Sequence, residues 1–306
     1  MDQLASLIAA TLNAGTVLAL ASLGLLINER AGVLNLGAEG IMLVAAIVGF
    51  ATAVHLDSSW LALGAGATIG ALLAAAFGLL VIFLHANQYA AGLTLSLFGA
   101  GVSAFIGVKY TGERLGVSSQ VGIPGLRDLP FFGPALFNQH ALVYVTMALT
   151  AVLAHLLVRS RAGLVLRALG ESPESAHALG YPVQRLRLLA VMLGGALCGV
   201  SGAYLSTVYT PLWVEGMVAG KGFIALALTT FGTWRPIRVL FGAYLFGGVT
   251  MAQFFLQGAG VQITSQWLAM LPYLITIFVL VLISRKPGFI RVNMPASLGK
   301  PFVPGG

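Results

Sequence analysis

The chain is organised around residues 159–187, which read RSRAGLVLRALGESPESAHALGYPVQRLR and form a polar island between two long apolar runs. The stretch contains five arginines and two glutamates. In polytopic membrane proteins, short loops rich in Lys and Arg lie on the cytoplasmic side. We therefore place this loop in the cytoplasm and orient the rest of the chain from it. Charge alone would also fit a loop that only sets the topology.

Local signals within this loop predict a short helix over residues 173–179. Ser172 is a favourable N-cap, and Pro173 suits the first helical position. Glu174 complements the positive end of the helix dipole. Gly180 permits a left-handed C-terminal stop, and a proline two residues later prevents continuation. A capped helix held between two membrane spans is a part that another protein can push on.

The composition predicts an all-α polytopic membrane protein with a single transmembrane domain, residues 1–306. The chain is 58% hydrophobic and 8% charged, against about 25% charged in an average soluble domain. Its net charge of +7 is assigned to orientation and not to nucleic-acid binding. The one cysteine, Cys198, lies in an apolar segment and is expected to pack there. The five histidines lack metal-ligand spacing, so we expect no metal, no cofactor and no enzymatic chemistry.

Hydropathy predicts about nine transmembrane helices, within a range of eight to ten. The predicted spans are 4–27, 33–54, 60–84, 89–108, 141–158, 188–208, 218–231, 239–256 and 267–283. Counting back from the basic loop places 109–138 outside as a long external loop and 284–306 inside as a cytoplasmic tail. The N-terminus then faces out and the C-terminus faces in, in the plasma (inner) membrane of a bacterium.

Residues 31–46, AGVLNLGAEGIMLVAA, predict an irregular start to the second span. Three glycines lower its helix propensity by about 1 kcal/mol each. Irregular backbone at membrane depth survives only where protein buries it or where it lines a cavity. Asn35 and Glu39 are one helical turn apart and share a face. Glu39 is either an interfacial residue near the cytoplasmic end or a structural anchor beside the translocation path.

The second half of the chain echoes this stretch. Residues 38–41 (AEGI) and 220–223 (GKGF) each precede a small-residue apolar span, and the two spans run in opposite directions. This pattern predicts inverted-topology repeats with Glu39 and Lys221 at matching points. The glycines before Lys221 have the wrong spacing for a Walker A loop, so we expect no ATP there.

Three stretches, 31–46, 166–206 and 219–236, resemble permeases of ABC importers of the ribose and branched-chain amino acid type. The sequence around Lys221 is most similar to that of the nucleoside (simple-sugar) subgroup. The resemblance implies a subunit without its own ATPase that works with a cytoplasmic ABC ATPase and an extracytoplasmic substrate-binding protein. Permeases this short in the family commonly pair with a second, different permease, so it also implies a heterodimer.

The same resemblance assigns roles to individual residues. The ATPase-coupling positions are Arg167, Gly170, Glu171, Pro173, Glu174, Ala178 and Gly180. The polar and aromatic residues of the predicted spans, and not the resemblance, supply the expected translocation-path positions, which are Asn35, Glu39, Gln88, Lys221 and Phe223.

The implied function is ATP-driven import of a small neutral polar solute, with nucleosides preferred. One alternative keeps the architecture and changes the substrate to a simple sugar or a branched-chain amino acid. A second alternative is an ion-coupled secondary transporter, which would need acidic residues at the membrane midplane.

Overall fold

The computed structural model describes residues 2–116, 121–122, 125, 127, 131–258 and 293–303, together with eight positions between 267 and 281. Its α-helices are α1 Asp2–Arg30, α2 Ala38–Leu56, α3 Ser59–Gly78, α4 Gln88–Gly107, α5 Ala141–Arg159, α6 Arg161–Glu171, α7 Pro173–Ala178, α8 Val183–Tyr204, α9 Lys221–Phe231 and α10 Pro236–Gly258. Short π-helical turns follow α3 (Leu79–Phe83), precede α5 (Gly133–Phe137) and follow α8 (Leu205–Tyr209). A 3-10 turn, Val108–Tyr110, follows α4. The strands β1 Val121–Gly122 and β2 Asn138–Gln139 pair antiparallel, with Val121 opposite Gln139.

Within this part of the chain, seven helices are long and apolar enough to cross a membrane, so the expected count of about nine is corrected. The predicted span 218–231 is the 11-residue helix α9, about 16 Å long against a hydrocarbon core of about 30 Å. Its N-cap, Gly220, has a positive φ of 80° and ends an irregular segment. The predicted span 267–283 falls mostly outside the described residues.

Close glycine contacts hold the centre of the bundle together. Gly66 and Gly70 of α3 face Gly195 and Gly199 of α8, so each helix presents two glycines one turn apart. A Cβ atom added at Gly199 would lie 2.0 Å from the Gly66 carbonyl oxygen, and one at Gly195 would lie 2.6 Å from that of Gly70. Small residues at this spacing let transmembrane backbones pack directly against each other. Any larger side chain at these positions would separate α3 from α8.

The outer helices carry large apolar side chains that remain exposed among the described residues. On α4, Leu97 is 77% exposed and Phe105 is 84% exposed, and on α10 Phe241 is 70% exposed. By contrast, α1, α2 and α8 supply most of the largest buried cluster. Large apolar side chains on the outside of the bundle fit helices that face lipid or another membrane subunit.

The break between α1 and α2 is irregular, as the glycine-rich sequence predicts, and side chains pair with several of its backbone groups. Gly32 has a φ of +87°. The Leu34 amide donates to Oε1 of Gln88 over 2.8 Å, and the Ser96 hydroxyl donates to the Leu36 carbonyl over 2.8 Å. Asn35 accepts from the Gly37 amide over 2.9 Å. Buried side chains therefore supply the partners that irregular backbone needs inside a membrane.

Candidate functional site

The basic loop folds into two helices and not only the one predicted. The shorter helix, α7, ends at Ala178, one residue before the predicted end, and the Ser172 hydroxyl accepts from the Ser175 amide over 3.4 Å. Gly180 follows with a φ of +87°. The additional helix, α6, begins at Arg161 and is capped by Ser160, whose hydroxyl accepts from the Gly163 amide over 3.0 Å. Hydropathy did not predict α6, because this amphipathic helix carries polar residues on one face and apolar residues on the other.

This α6–α7 loop has a packed face and an open face. Leu169 and Ala176 pack with Val183 and with Phe302 of the C-terminal tail. The open face includes Glu171, Glu174 and Leu179, the last 77% exposed. A cleft of about 340 Å³ runs between the two helices and exposes Tyr181 beside Leu179. The loop can therefore bind a partner on one face and pass force to the bundle through the other.

Gly170, a predicted coupling residue, lies where three segments cross. A Cβ atom added there would lie 2.3 Å from the Arg30 carbonyl oxygen at the end of α1. It would also lie 3.1 Å from Cβ of Pro295 in the tail. The absence of a side chain at Gly170 therefore sets the closest approach of the α6–α7 loop to α1.

The tail segment, residues 293–303, fastens the α6–α7 loop to the bundle, which sequence reasoning missed. The Ser297 amide donates to the Gly170 carbonyl over 2.9 Å, and Arg187 Nη2 donates to both Leu169 O and Ser297 Oγ over 2.9 Å. The Gly299 amide donates to the Gly32 carbonyl over 3.2 Å. No local signal announces these contacts, because Ser297 and Arg187 are 110 residues apart.

Glu39 and Lys221, predicted at matching points of two repeats, lie at the same junction. Oε1 of Glu39 accepts from the Gly220 amide over 2.8 Å, and Oε2 accepts from the Gly222 amide over 2.7 Å. A carboxylate from α2 therefore caps the N-terminus of α9, where the helix dipole favours negative charge. The Lys221 ammonium donates to the carbonyls of Met217 and Val218 over 3.4 and 3.2 Å.

A second buried acid, Glu29, lies near the end of α1 and was not singled out from the sequence. Its side chain is 1% exposed, and its Oε2 accepts from the indole Nε1 of Trp234. Arg30 donates to the Trp234 carbonyl through Nη2 over 2.8 Å and through Nε over 3.2 Å. Thr233 and Trp234 have φ values of +51° and +53°, an uncommon backbone conformation that these contacts hold in place. The tryptophan in the polar turn 232–236 was the feature of the sequence that could have indicated this buried cluster.

The other predicted path residues do not gather into one site. Asn35 and Gln88 are buried and bind the backbone of the 33–37 segment. Phe223 is 41% exposed on α9. Of the five, Glu39 and Lys221 lie together at the start of α9. The role of this set in translocation therefore stays a prediction.

Of the remaining coupling positions, Pro173 is buried at the start of α7, whereas Glu174 and Ala178 are exposed. Arg167 is half-buried on α6 and lines a cavity with Arg30.

Comparison with known proteins agrees with this architecture. Residues 7–280 match the family described as the branched-chain amino acid transport system / permease component. The chain is 40% identical to the putative glucose ABC transporter permease protein TsgC13 of Haloferax volcanii, over 97% of both chains.

Two nucleoside permeases are also similar. The chain is 34% identical to the nucleoside ABC transporter permease protein NupC of Lactococcus lactis, over 89% of this chain and 90% of that one. It is 30% identical to the guanosine ABC transporter permease protein NupQ of Bacillus subtilis, over 99% and 98%. No solved structure matches the chain.

The family match covers most of the chain, and the relatives cover nearly all of it. Members of such a family are multi-pass inner-membrane subunits that associate with an ATPase and a substrate-binding protein. The chain therefore belongs to the branched-chain amino acid transport system permease family and is an ABC transporter permease.

Proposed function

We propose that this permease forms half of the translocation path of an ATP-driven importer for a small neutral solute that contains a sugar, with nucleosides as the preferred substrates. The observation that carries the ATP-driven mechanism is the two-faced α6–α7 loop. It exposes Leu179 and Tyr181 beside an open cleft. Its other face packs against α1 through Gly170 and against α8 through Arg187.

 

The proposed coupling motion follows from these contacts. ATP-driven closure of the ATPase would push on α7, and α6 would transmit the displacement to the ends of α1 and α8. Because Gly170 touches the Arg30 carbonyl and the tail without an intervening side chain, little of the movement is lost in side-chain rearrangement. The flanking helices α5 and α8 would then tilt and switch access to the path.

The proposed assembly has a cytoplasmic ATPase, an extracytoplasmic binding protein and a second, different permease. The α6–α7 loop and the C-terminus face the cytoplasm in this arrangement, and the N-terminus faces out. The exposed apolar side chains of α4 and α10, such as Leu97 and Phe241, provide surface for a second subunit as well as for lipid. Pull-down of the chain from its native membrane should recover all three partners, whereas recovery of the chain alone would contradict the assembly.

The substrate class is supported by the relatives, two of which are named for nucleosides or guanosine and one for glucose. A ribosyl group and a hexose share several neutral hydroxyl groups, so glucose is the second candidate. The test is ATP hydrolysis by the reconstituted complex with its binding protein, in the presence of guanosine, uridine, glucose or leucine. Stimulation by nucleosides supports the proposal, stimulation by glucose selects the second candidate, and stimulation by leucine alone rejects both.

The coupling role is tested by Glu171→Lys and Gly180→Val. Both variants should insert and assemble but lose most substrate-stimulated ATP hydrolysis and uptake. The matched control is Gly216→Val, because Gly216 also has a positive φ and open space around its Cβ position but lies between α8 and α9. Normal uptake by both loop variants would reject the coupling role of this loop.

A further inference from the structure

Four arginines line one cavity at the end of the bundle that carries the α6–α7 loop. The cavity has a volume of about 560 Å³, within the range of small-molecule sites. Arg30 and Arg167 reach it from α1 and α6, and Arg235 and Arg238 reach it from the turn before α10 and from α10 itself. The coupling mechanism proposed above uses none of these four guanidinium groups for chemistry.

The charge balance around the cavity is positive. None of the described residues that line it is an acid. Glu29 and Glu171 are the carboxylates that act electrostatically on Arg30, against two arginines, Arg167 and Arg235. Glu29 is buried and bonded to Trp234. Arginine stays protonated in proteins, so four guanidinium groups around one space repel each other unless an anion enters.

Part of the donor capacity is already used, and one buried donor is unpaired among the described residues. Arg30 donates to Trp234 O and to Asn293 O, and Arg238 donates to Thr233 Oγ1 over 2.9 Å. Nε of Arg167 is buried and has no hydrogen-bond partner among the described residues. A guanidinium group offers five N–H donors in a planar fork that matches phosphate oxygens.

Apart from Asn293, the remaining lining is apolar, and part of it is exposed on the surface of the bundle. It includes Leu157 and Val158 at the end of α5 and Ile237 at the start of α10. Val158 is 67% exposed and Ile237 is 52% exposed. A soluble anion makes no favourable contact with this apolar rim, whereas a phospholipid presents a phosphate and an acyl chain together.

We propose that this arginine-lined cavity binds the phosphate headgroup of an anionic phospholipid, with an acyl chain against Val158 and Ile237. Basic pockets between transmembrane helices at the cytoplasmic face are suited to such headgroups, because that leaflet is rich in anionic lipid. The site joins α1, α6 and α10, so a bound lipid would cross-link the segments that meet at the α6–α7 loop. Only the choice of leaflet rests on the orientation given under the proposed function.

The test is native mass spectrometry of the assembled transporter after incubation with equal amounts of phosphatidylglycerol and phosphatidylcholine. The wild type should retain phosphatidylglycerol in preference to phosphatidylcholine. Arg235→Gln/Arg238→Gln should lower that retention by about tenfold, the loss expected for weakened charge-assisted contacts. Both residues are exposed, which limits damage to the fold. Arg235→Lys/Arg238→Lys keeps the charges and should lose less.

The matched control is Arg161→Gln/Arg185→Gln, which removes two exposed charges from the same end of the bundle but not from the cavity lining. It should retain phosphatidylglycerol like the wild type. An equal loss in this control, or equal retention of both lipids by the wild type, would overturn the proposal. Displacement of the lipid by millimolar inorganic phosphate would also overturn it, by showing a site for free phosphate. None of these outcomes depends on transport, so the proposed function is tested separately.

Discussion

Glu29 and Glu39 are both buried, lie ten positions apart, and are held in different ways. Both oxygens of Glu39 accept from backbone amides of one helix end. Glu29 has one side-chain donor, Trp234, and its Oε1 has no partner among the described residues. Backbone donors are fixed by the helix they belong to, whereas a side-chain donor can rotate away. The Glu39 junction is therefore built as a fixed joint, and the Glu29 cluster as one that can rearrange.

The surroundings of the two acids support the same contrast. Gly222 lies so close to Glu39 that an added Cβ atom would be 2.5 Å from the Glu39 amide nitrogen. Around Glu29, three separate segments meet: the end of α1, the turn between α9 and α10, and the tail that Arg30 contacts through Asn293 O. In the proposed coupling motion, movement of the α6–α7 loop would reach this second region first. We expect the two clusters to respond differently to substitution.

The largest expected effect is at the fixed joint. Glu39→Ala leaves two buried amides of α9 without an acceptor and should lower the free energy of unfolding by roughly 3 kcal/mol or more. Glu39→Gln retains one acceptor and should lose about half as much. Thermal unfolding of the detergent-solubilised protein measures both. Wild-type stability in Glu39→Ala would show that the cap contributes nothing and would remove the contrast between the two acids.

The next effect is at the rearranging cluster. Trp234→Phe removes the one donor to Glu29 and should cost about 2 kcal/mol. Adding Glu29→Leu to Trp234→Phe should recover part of that loss, because an unpaired buried carboxyl group costs more than an apolar replacement. The comparison is a double-mutant cycle on thermal stability. Strictly additive losses would mean that the two side chains do not interact.

A smaller structural effect should follow from widening the contact beside Glu29. Gly170→Ala places a Cβ atom against Arg30 O and should separate the α6–α7 loop from α1, lowering coupled ATP hydrolysis more than it lowers stability. Gly216→Ala, outside the α6–α7 loop, is the control, since its Cβ would meet open space and carries only a backbone cost of about 1 kcal/mol. Equal hydrolysis in the two variants would contradict the transmission path.

The smallest effect is a pH dependence that arises outside both clusters. Burial lowers the pKa of His140 below its usual value of 6.5, and its Nδ1 accepts from the Leu142 amide at the start of α5. The unfolded chain therefore binds this proton more readily, so stability is full above pH 6.5 and declines as the pH falls below it. His140→Asn keeps a cap without a titrating ring and should flatten the unfolding-versus-pH curve in that range. A curve identical to the wild type would assign the pH dependence to other groups.

Local features of the sequence predicted a large part of the fold. Hydropathy located all seven long apolar helices, because membrane insertion depends on a sum over about 20 neighbouring residues. Capping residues located α7 to within one position, because Ser172 and Gly180 act within one turn. Hydropathy was wrong for 218–231, where an apolar run is interrupted by the irregular segment before α9.

The sequence by itself determined the membrane class, the family motifs and the presence of a capped helix in the basic loop. Only the tertiary structure decided that Glu39 accepts from the Gly220 amide 181 residues later, and that Ser297 donates to Gly170 from 127 residues away. It also gathered Arg30, Arg167, Arg235 and Arg238 around one cavity. Caps and hydropathy act between neighbours along the chain. The buried partners depend on how whole helices pack, which no short stretch of sequence encodes.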